Sequence, residues 1–273
     1  MDFELEVSKK LDIYTIIAIS AIAWVILIIS HEVVGHGGAA YINGGRLAYF
    51  DSMFAKFVEP EGGFSFWQSK FNTAAGSLLN ILMMVAACFW FIKLKNQKTW
   101  LGFGLWVFVL YTAFQGGCYI AFSQFIYKTM DWHKILIGLK PQLLWRIMLL
   151  VVGSGIISWG FYFGRKTHYV FLNPDQSIKI QKIKILIVPW LTASVIATAA
   201  AVYVPADNRW LMIMGGFGNS FNFLIFMMIL ALIPSHVEYA ERSTSFKRNF
   251  PLIIGGVFAI FLYVFVFGSG ITL

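Results

Sequence analysis

Two imidazoles and a carboxylate close a long apolar run: His31-Glu32-Val33-Val34-Gly35-His36 follows residues 18–30, which are almost all aliphatic or small. Ionisable groups are costly to bury in a bilayer, so at that depth they are functional candidates by default. Their types suit a catalytic zinc site, which needs neutral nitrogen ligands and a carboxylate to act as acid and base beside the ion. The familiar order for that chemistry is His-Glu-x-x-His, and here one more residue intervenes. An α-helix turns ~100° per residue, so positions four apart differ by ~40° in azimuth and positions five apart by ~140°. A straight α-helix therefore cannot aim His31 and His36 at one ion. A π-bulge would bring i and i+5 onto one face. Alternatively the helix ends near Gly35 and His36 returns from the Gly35/Gly37/Gly38 turn. A third arrangement pairs Glu32 with His36, four apart, and makes Glu32 a ligand instead of the base.

These residues need a membrane scaffold to hold them. The chain has 273 residues, of which 59% are hydrophobic and 12% charged, with a mean hydropathy of +0.72. A soluble domain carries about twice that charged fraction. Several runs exceed the ~18 apolar residues that mark a spanning helix. The expected fold is all-α integral membrane: a polytopic bundle of about seven transmembrane helices near 13–36, 73–94, 101–126, 142–164, 185–204, 210–233 and 252–270, forming one transmembrane domain over 1–273. Net charge is +8, but the basic residues are scattered between hydrophobic segments. That pattern fits topology and anionic headgroups, not nucleic acid. Cys88 and Cys118 fall inside spans and read as small apolar side chains. The acidic start, Met1-Asp2-Phe3-Glu4-Leu5-Glu6, lacks the basic opening of a cleavable signal peptide, so the first span is expected to be retained.

The longest connection, 37–72, carries glycine pairs at Gly37-Gly38, Gly44-Gly45 and Gly62-Gly63 among aromatics. It predicts a short hairpin or re-entrant element after the first span, then an interfacial segment around Phe64-Ser65-Phe66-Trp67. In the connection 165–184, Asn173-Pro174-Asp175 signals a turn. The alternation from Ser177 to Lys184 predicts a short strand or an interfacial segment. Lys and Arg are in excess on the side of the N-terminus, which predicts that the N-terminus is cytoplasmic. The same alternation of sides puts Asn80, Asp131, His133 and Asp207 with the motif. His168 and His236 fall ~30 Å away across the bilayer.

The motif and its surroundings resemble the site-2 protease family of intramembrane zinc metalloproteases. The run Glu32-Val33-Val34-Gly35-His36-Gly37-Gly38-Ala39-Ala40 is similar to that family's motif and its small-residue continuation, apart from the extra residue. Ala74-Ala75-Gly76-Ser77-Leu78-Leu79-Asn80 resembles the small-residue stretch ending in asparagine on a later span, and residues 44–58 stand where a short sheet often follows. The resemblance implies His31 and His36 as zinc ligands, Glu32 as the catalytic acid/base, Asp131 as third ligand by order and side, and Asn80 in substrate binding or support. His133 competes with Asp131. Trp132 follows Asp131 where the family has glycine, and no proline follows Gly76. The likeness covers residues 13–135, the expected catalytic core. The helices within 136–273 match no family pattern.

Other polar residues read as structural. Gln115, Gly116 and Gly117 interrupt the third span, where an amide usually bonds a neighbouring helix. Arg146 is expected to snorkel. Asp207, His168, His236 and Glu238 read as loop or interfacial residues, and Gly215-Gly216-Phe217-Gly218 as a packing or kink site. The expected function is zinc-dependent hydrolysis of membrane-embedded or juxtamembrane peptides, with the lipid bilayer as surroundings and no nucleic acid partner. The substrate must unwind to expose its carbonyls, and 44–58 would pair with it as an added strand. The alternatives are a membrane metal-dependent lipid or amide hydrolase, and a non-enzymatic transporter or assembly factor. Lack of an internal repeat argues against a transporter.

Overall fold

The computed structural model describes residues 11–95, 99–126, 130–172, 177–204, 213, 227–232 and 247–273. Among these, six helices are long and apolar enough to cross a membrane: α1 (Ile13–Ile42), α2 (Phe66–Leu94), α3 (Trp100–Phe125), α5 (Gln142–Phe171), α6 (Ile178–Tyr203) and α7 (Phe250–Phe267). A short helix, α4 (Asp131–Leu136), lies between α3 and α5. The chain is thus a multi-pass helical membrane protein. Most of the expected sixth span, 210–233, lies outside the described residues, as do Asn173-Pro174-Asp175, Asp207, Gly215-Gly216-Phe217-Gly218, His236 and Glu238.

Helix starts follow from local chemistry. Asp12 caps α1, accepting from the Thr15 backbone N–H at 3.0 Å, and Arg248 Nε donates to its other oxygen at 3.1 Å. Burial pushes the Asp12 carboxyl up, but the Thr15 bonds and Arg248 more than offset this and hold it below its usual range. Ser65 and Gln68 form a reciprocal capping box at the start of α2. Phe66 and Trp67, expected in an interfacial segment, form the first turn of this helix. Thr99 and Asn249 cap α3 and α7.

The segment expected as a short strand or an interfacial segment is no strand: it forms the first turns of α6, helical from Ile178 and passing through a π turn at Ile183–Ile187. The apolar run beyond it carries the helix backwards over the alternating residues. The π turn ends just before Pro189, whose missing N–H interrupts the α-helical ladder.

Helices α1, α3 and α6 make the interior, and α5 and α7 leave most of their surface facing outward. Aromatic rings fill the centre edge-on: Trp24 against Tyr111 at 5.8 Å between centroids, and Tyr111 against Trp190 at 4.8 Å. All three are at most 2% exposed.

The hairpin expected after the first span is present. β1 (Arg46–Phe50) pairs antiparallel with β2 (Ala55–Val58). Asp51 closes the turn: its Oδ1 accepts from the N–H of Met53 at 2.6 Å and of Phe54 at 2.8 Å. The Tyr49 hydroxyl donates to Asp51 Oδ2 at 2.9 Å. Burial, then this bond, push the Tyr49 phenol up to about 12, so it stays a donor at neutral pH. A third strand, β3 (Ile271–Thr272), joins the other edge of β1 and gives the order β2-β1-β3. Nothing in the sequence reading anticipates β3, because a two-residue strand has no periodicity to detect.

Candidate metal centre

The extra residue of the motif is absorbed by a π turn. Residues Ser30–Gly37 are π-helical, and the helix continues through Gly38 to Ile42 without a break. Of the three arrangements open to the sequence, the bulge is the one found. It brings the rings of His31 and His36 edge to face at 4.8 Å between centroids, with their Nε2 atoms 3.2 Å apart.

Asp131 meets them from the start of α4. Its Oδ2 lies 3.3 Å from His36 Nε2 and 3.6 Å from His31 Nε2. Three donor atoms thus form a triangle with edges of 3.2, 3.3 and 3.6 Å. Tetrahedral ligands ~2.0–2.2 Å from zinc are ~3.3–3.6 Å from one another, so the residues present fit such an ion. Burial pushes the Asp131 carboxyl up, but hydrogen bonds with His31 and His36 more than offset it and hold the group well below the ordinary carboxylate range. Asp131 is therefore an anion, as a ligand must be. His133 turns away, with Nδ1 3.0 Å from the Gln124 carbonyl oxygen.

Glu32 stands beside the triangle. Donor atoms of His31, Glu32 and His36 lie within 4.8 Å of one another, a group that could hold a metal ion. The Glu32 carboxylate is 4.0 Å from His31 Nε2, farther than any edge of the triangle. No described residue hydrogen-bonds to it, so it is available to a small molecule in the site.

Helix α2 fixes the far side of both imidazoles. His36 Nδ1 lies 2.7 Å from the Asn72 backbone oxygen, which can only accept, so Nδ1 carries the proton and Nε2 is free to ligate. The Asn80 amide nitrogen lies 3.3 Å from His31 Nδ1, and its Oδ1 is buried without a partner. Turning that amide over puts Oδ1 on an Nδ1–H and gives His31 the same tautomer as His36. Outer partners of this kind change metal affinity by ~10–100-fold, and that is the loss expected for Asn80→Leu. Asn80→Asp keeps the acceptor and should keep the affinity. Competition titration with a metal indicator checks both, and equal affinity in Asn80→Leu and wild type would contradict the contact.

Close packing makes this possible. A Cβ on Gly35 would fall 2.5 Å from Gly76 Cα, and a Cβ on Gly76 would fall 2.7 Å from His36 Nε2 and 2.9 Å from carbons of the His31 ring. Both positions therefore need glycine. On the opposite side, Tyr119 of α3 donates to Asp131 Oδ2 at 2.9 Å and accepts from the Asp131 N–H at 3.4 Å. Trp132 Nε1 donates to Ser77 Oγ at 3.2 Å. Lys70 Nζ donates to the Lys134 and Ile137 carbonyls at 2.7 and 2.6 Å, which ties the end of α4 to α2.

Sequence reasoning passed over Tyr119 and Asn72. Asn72 acts through its backbone oxygen, which no residue type reveals. Tyr119 is one of 11 tyrosines, and nothing in its neighbours marks it. His168 is buried at the end of α5, its Nδ1 3.1 Å from the Gly164 carbonyl oxygen, and takes no part in the cluster. Gln115 and Gly116 belong to a second π turn, Thr112–Gly116. Arg146 sits over the Phe125 ring at 5.5 Å. Comparison with models of known families, with characterised proteins and with solved structures finds no match to this chain.

Proposed function

We propose that this chain is an intramembrane zinc metalloprotease, similar in chemistry to the site-2 protease family. The observation that carries the reading is the donor triangle of His31, His36 and Asp131 beside an unengaged Glu32 carboxylate, with His31, Glu32 and His36 on a helix apolar enough to cross a membrane. Zinc, when bound, supplies Lewis acidity that makes a water acidic near neutral pH and polarises the scissile carbonyl.

The chain's own residues do the rest. Glu32 takes a proton from the attacking water and delivers it to the leaving nitrogen. The Asn72 carbonyl and the Asn80 amide hold the imidazoles so that both Nε2 atoms point inward. Tyr119 orients the Asp131 carboxylate. The hairpin flanks the site: Leu47 would lie 3.4 Å from a Cβ on Gly37, and the Phe57 ring is 6.4 Å from that of His36. In the described sheet, β2 pairs only with β1, so its outer edge is open to an unwound peptide strand. That favours a membrane-embedded or juxtamembrane peptide over a lipid ester, which has no backbone to pair.

The test is product identity. Purified chain in proteoliposomes, loaded with zinc and given a library of single-span peptides, should yield new peptide termini by mass spectrometry, with the lipids unchanged. Hydrolysed lipid with intact peptides would replace this reading with that of a lipid hydrolase.

A further inference from the structure

The hairpin beside the donor triangle is fastened to the last described helix, more than two hundred residues away in sequence. The Ser52 N–H donates to the Phe267 carbonyl at 3.0 Å, and the Tyr263 hydroxyl donates to the Ser52 carbonyl at 3.3 Å. Ser52 is in the tight turn between β1 and β2, so both backbone polar groups of one turn residue are held by α7. Past α7 the chain runs through Gly270 into β3, which pairs Tyr49 with Thr272 and Phe50 with Ile271. The Leu273 N–H adds a bond to the Ala48 carbonyl at 2.9 Å.

Gly270 makes the fit possible. Its φ is +80°, and a Cβ there would overlap the Tyr49 side chain. The Phe50 ring packs on Phe267 at 5.5 Å between centroids. The π turn of α7, Leu262–Phe267, carries both attachment points, Tyr263 and Phe267. A π turn is one residue from an ordinary α-helix, and such turns are frequent at functional sites.

We propose that α7 and β3 form a clasp that holds the hairpin against the metal centre, and that the clasp must release before the centre exchanges its contents with the surroundings. The proposal rests on the metal reading for its purpose and on the contacts to Ser52 and β1 for its mechanism. Few bonds hold the clasp. Among the described residues, two backbone pairings, the Leu273 bond to Ala48, two bonds to Ser52 and one aromatic contact join it to the hairpin, so parting the two costs far less than unfolding. Its residues belong to helices outside the part of the chain that resembles known proteases, which gives the last span a role in admission.

Two variants move the clasp in opposite directions. Tyr49 and Thr272 are direct cross-strand partners, at a spacing a disulfide can bridge. In a chain with Cys88 and Cys118 replaced by Ala, Tyr49→Cys with Thr272→Cys locks the clasp on oxidation. Gly270→Ala loosens it through the overlap with Tyr49. The readout is cobalt(II) uptake by metal-free protein in detergent, followed by the visible absorption of the loaded site. Oxidation should slow uptake at least ten-fold relative to the same protein reduced, with the same final absorbance. Gly270→Ala should speed it several-fold.

Hydrogen exchange of 52–58 in the metal-free protein is the second readout. It should slow in the oxidised form and quicken in Gly270→Ala. Uptake and exchange that match wild type in both variants would overturn the clasp while leaving the metal centre intact. Failure of any form to take up cobalt would overturn the metal reading, and the exchange data would then decide the clasp alone.

Discussion

A Glu32→Gln chain is expected to retain its metal and lose hydrolysis by about 10²–10⁴-fold, the range general acid–base groups contribute. The substitution keeps shape and removes only the ability to take a proton. Glu32 lies outside the triangle, 4.0 Å from the nearest imidazole nitrogen, and no described residue depends on it for a hydrogen bond. Metal content and peptide cleavage measured on one preparation separate the alternatives. Metal retained with cleavage lost is the expected pair. Loss of metal together with cleavage would make Glu32 a ligand, the third arrangement the sequence allows. Unchanged cleavage would remove Glu32 from the chemistry altogether.

Gly76→Ala should empty the metal centre although it replaces none of the three proposed ligands. The added methyl would stand 2.7 Å from His36 Nε2 and 2.9 Å from two carbons of the His31 ring, so neither imidazole could keep its place. Overpacking of this kind costs ~1–3 kcal/mol in a close-packed interior, and here the strain falls on the groups that define the site. Gly38→Ala is the matched control: it lies in the same helix as the motif, and a Cβ there meets nothing within 4 Å. Elemental analysis should find little metal in Gly76→Ala and wild-type content in Gly38→Ala, with both chains eluting as folded protein. Full metal in Gly76→Ala would contradict the arrangement of the two imidazoles against α2.

How much of this was legible beforehand differs by element. The spanning helices could be read from length and apolarity, because a bilayer demands both of any chain that crosses it. Their ends were harder. Composition marks the first turn of α2 and the alternating first turns of α6 as interface but does not give their conformation, which is helix, capped at Ser65 in α2. Which helices are inner could not be read, since lipid-facing and buried surfaces are equally apolar.

At the site, the spacing left a bulge, a break or a Glu32–His36 pairing open, and the backbone takes the bulge where Gly35 packs on Gly76. Side of the membrane left Asp131, His133 and Asp207 together with the motif, and only the family resemblance singled out Asp131. Tyr119, the Asn72 carbonyl and the clasp on Ser52 arise from tertiary contact, and their residue types carry no local signature.

The central claim is that His31, His36 and Asp131 hold one metal ion together. The most direct measurement is elemental mass spectrometry on detergent-purified chain, prepared without chelators, with His31→Ala, His36→Ala and Asp131→Ala alongside. About one zinc ion per wild-type chain, lost in each variant, is the predicted result, because a catalytic zinc site relies on three protein ligands and each removal weakens its hold on the ion. Little metal in well-folded wild type, or full metal in Asp131→Ala, would contradict it and reduce the cluster to a buried hydrogen-bonded network at a helix bulge.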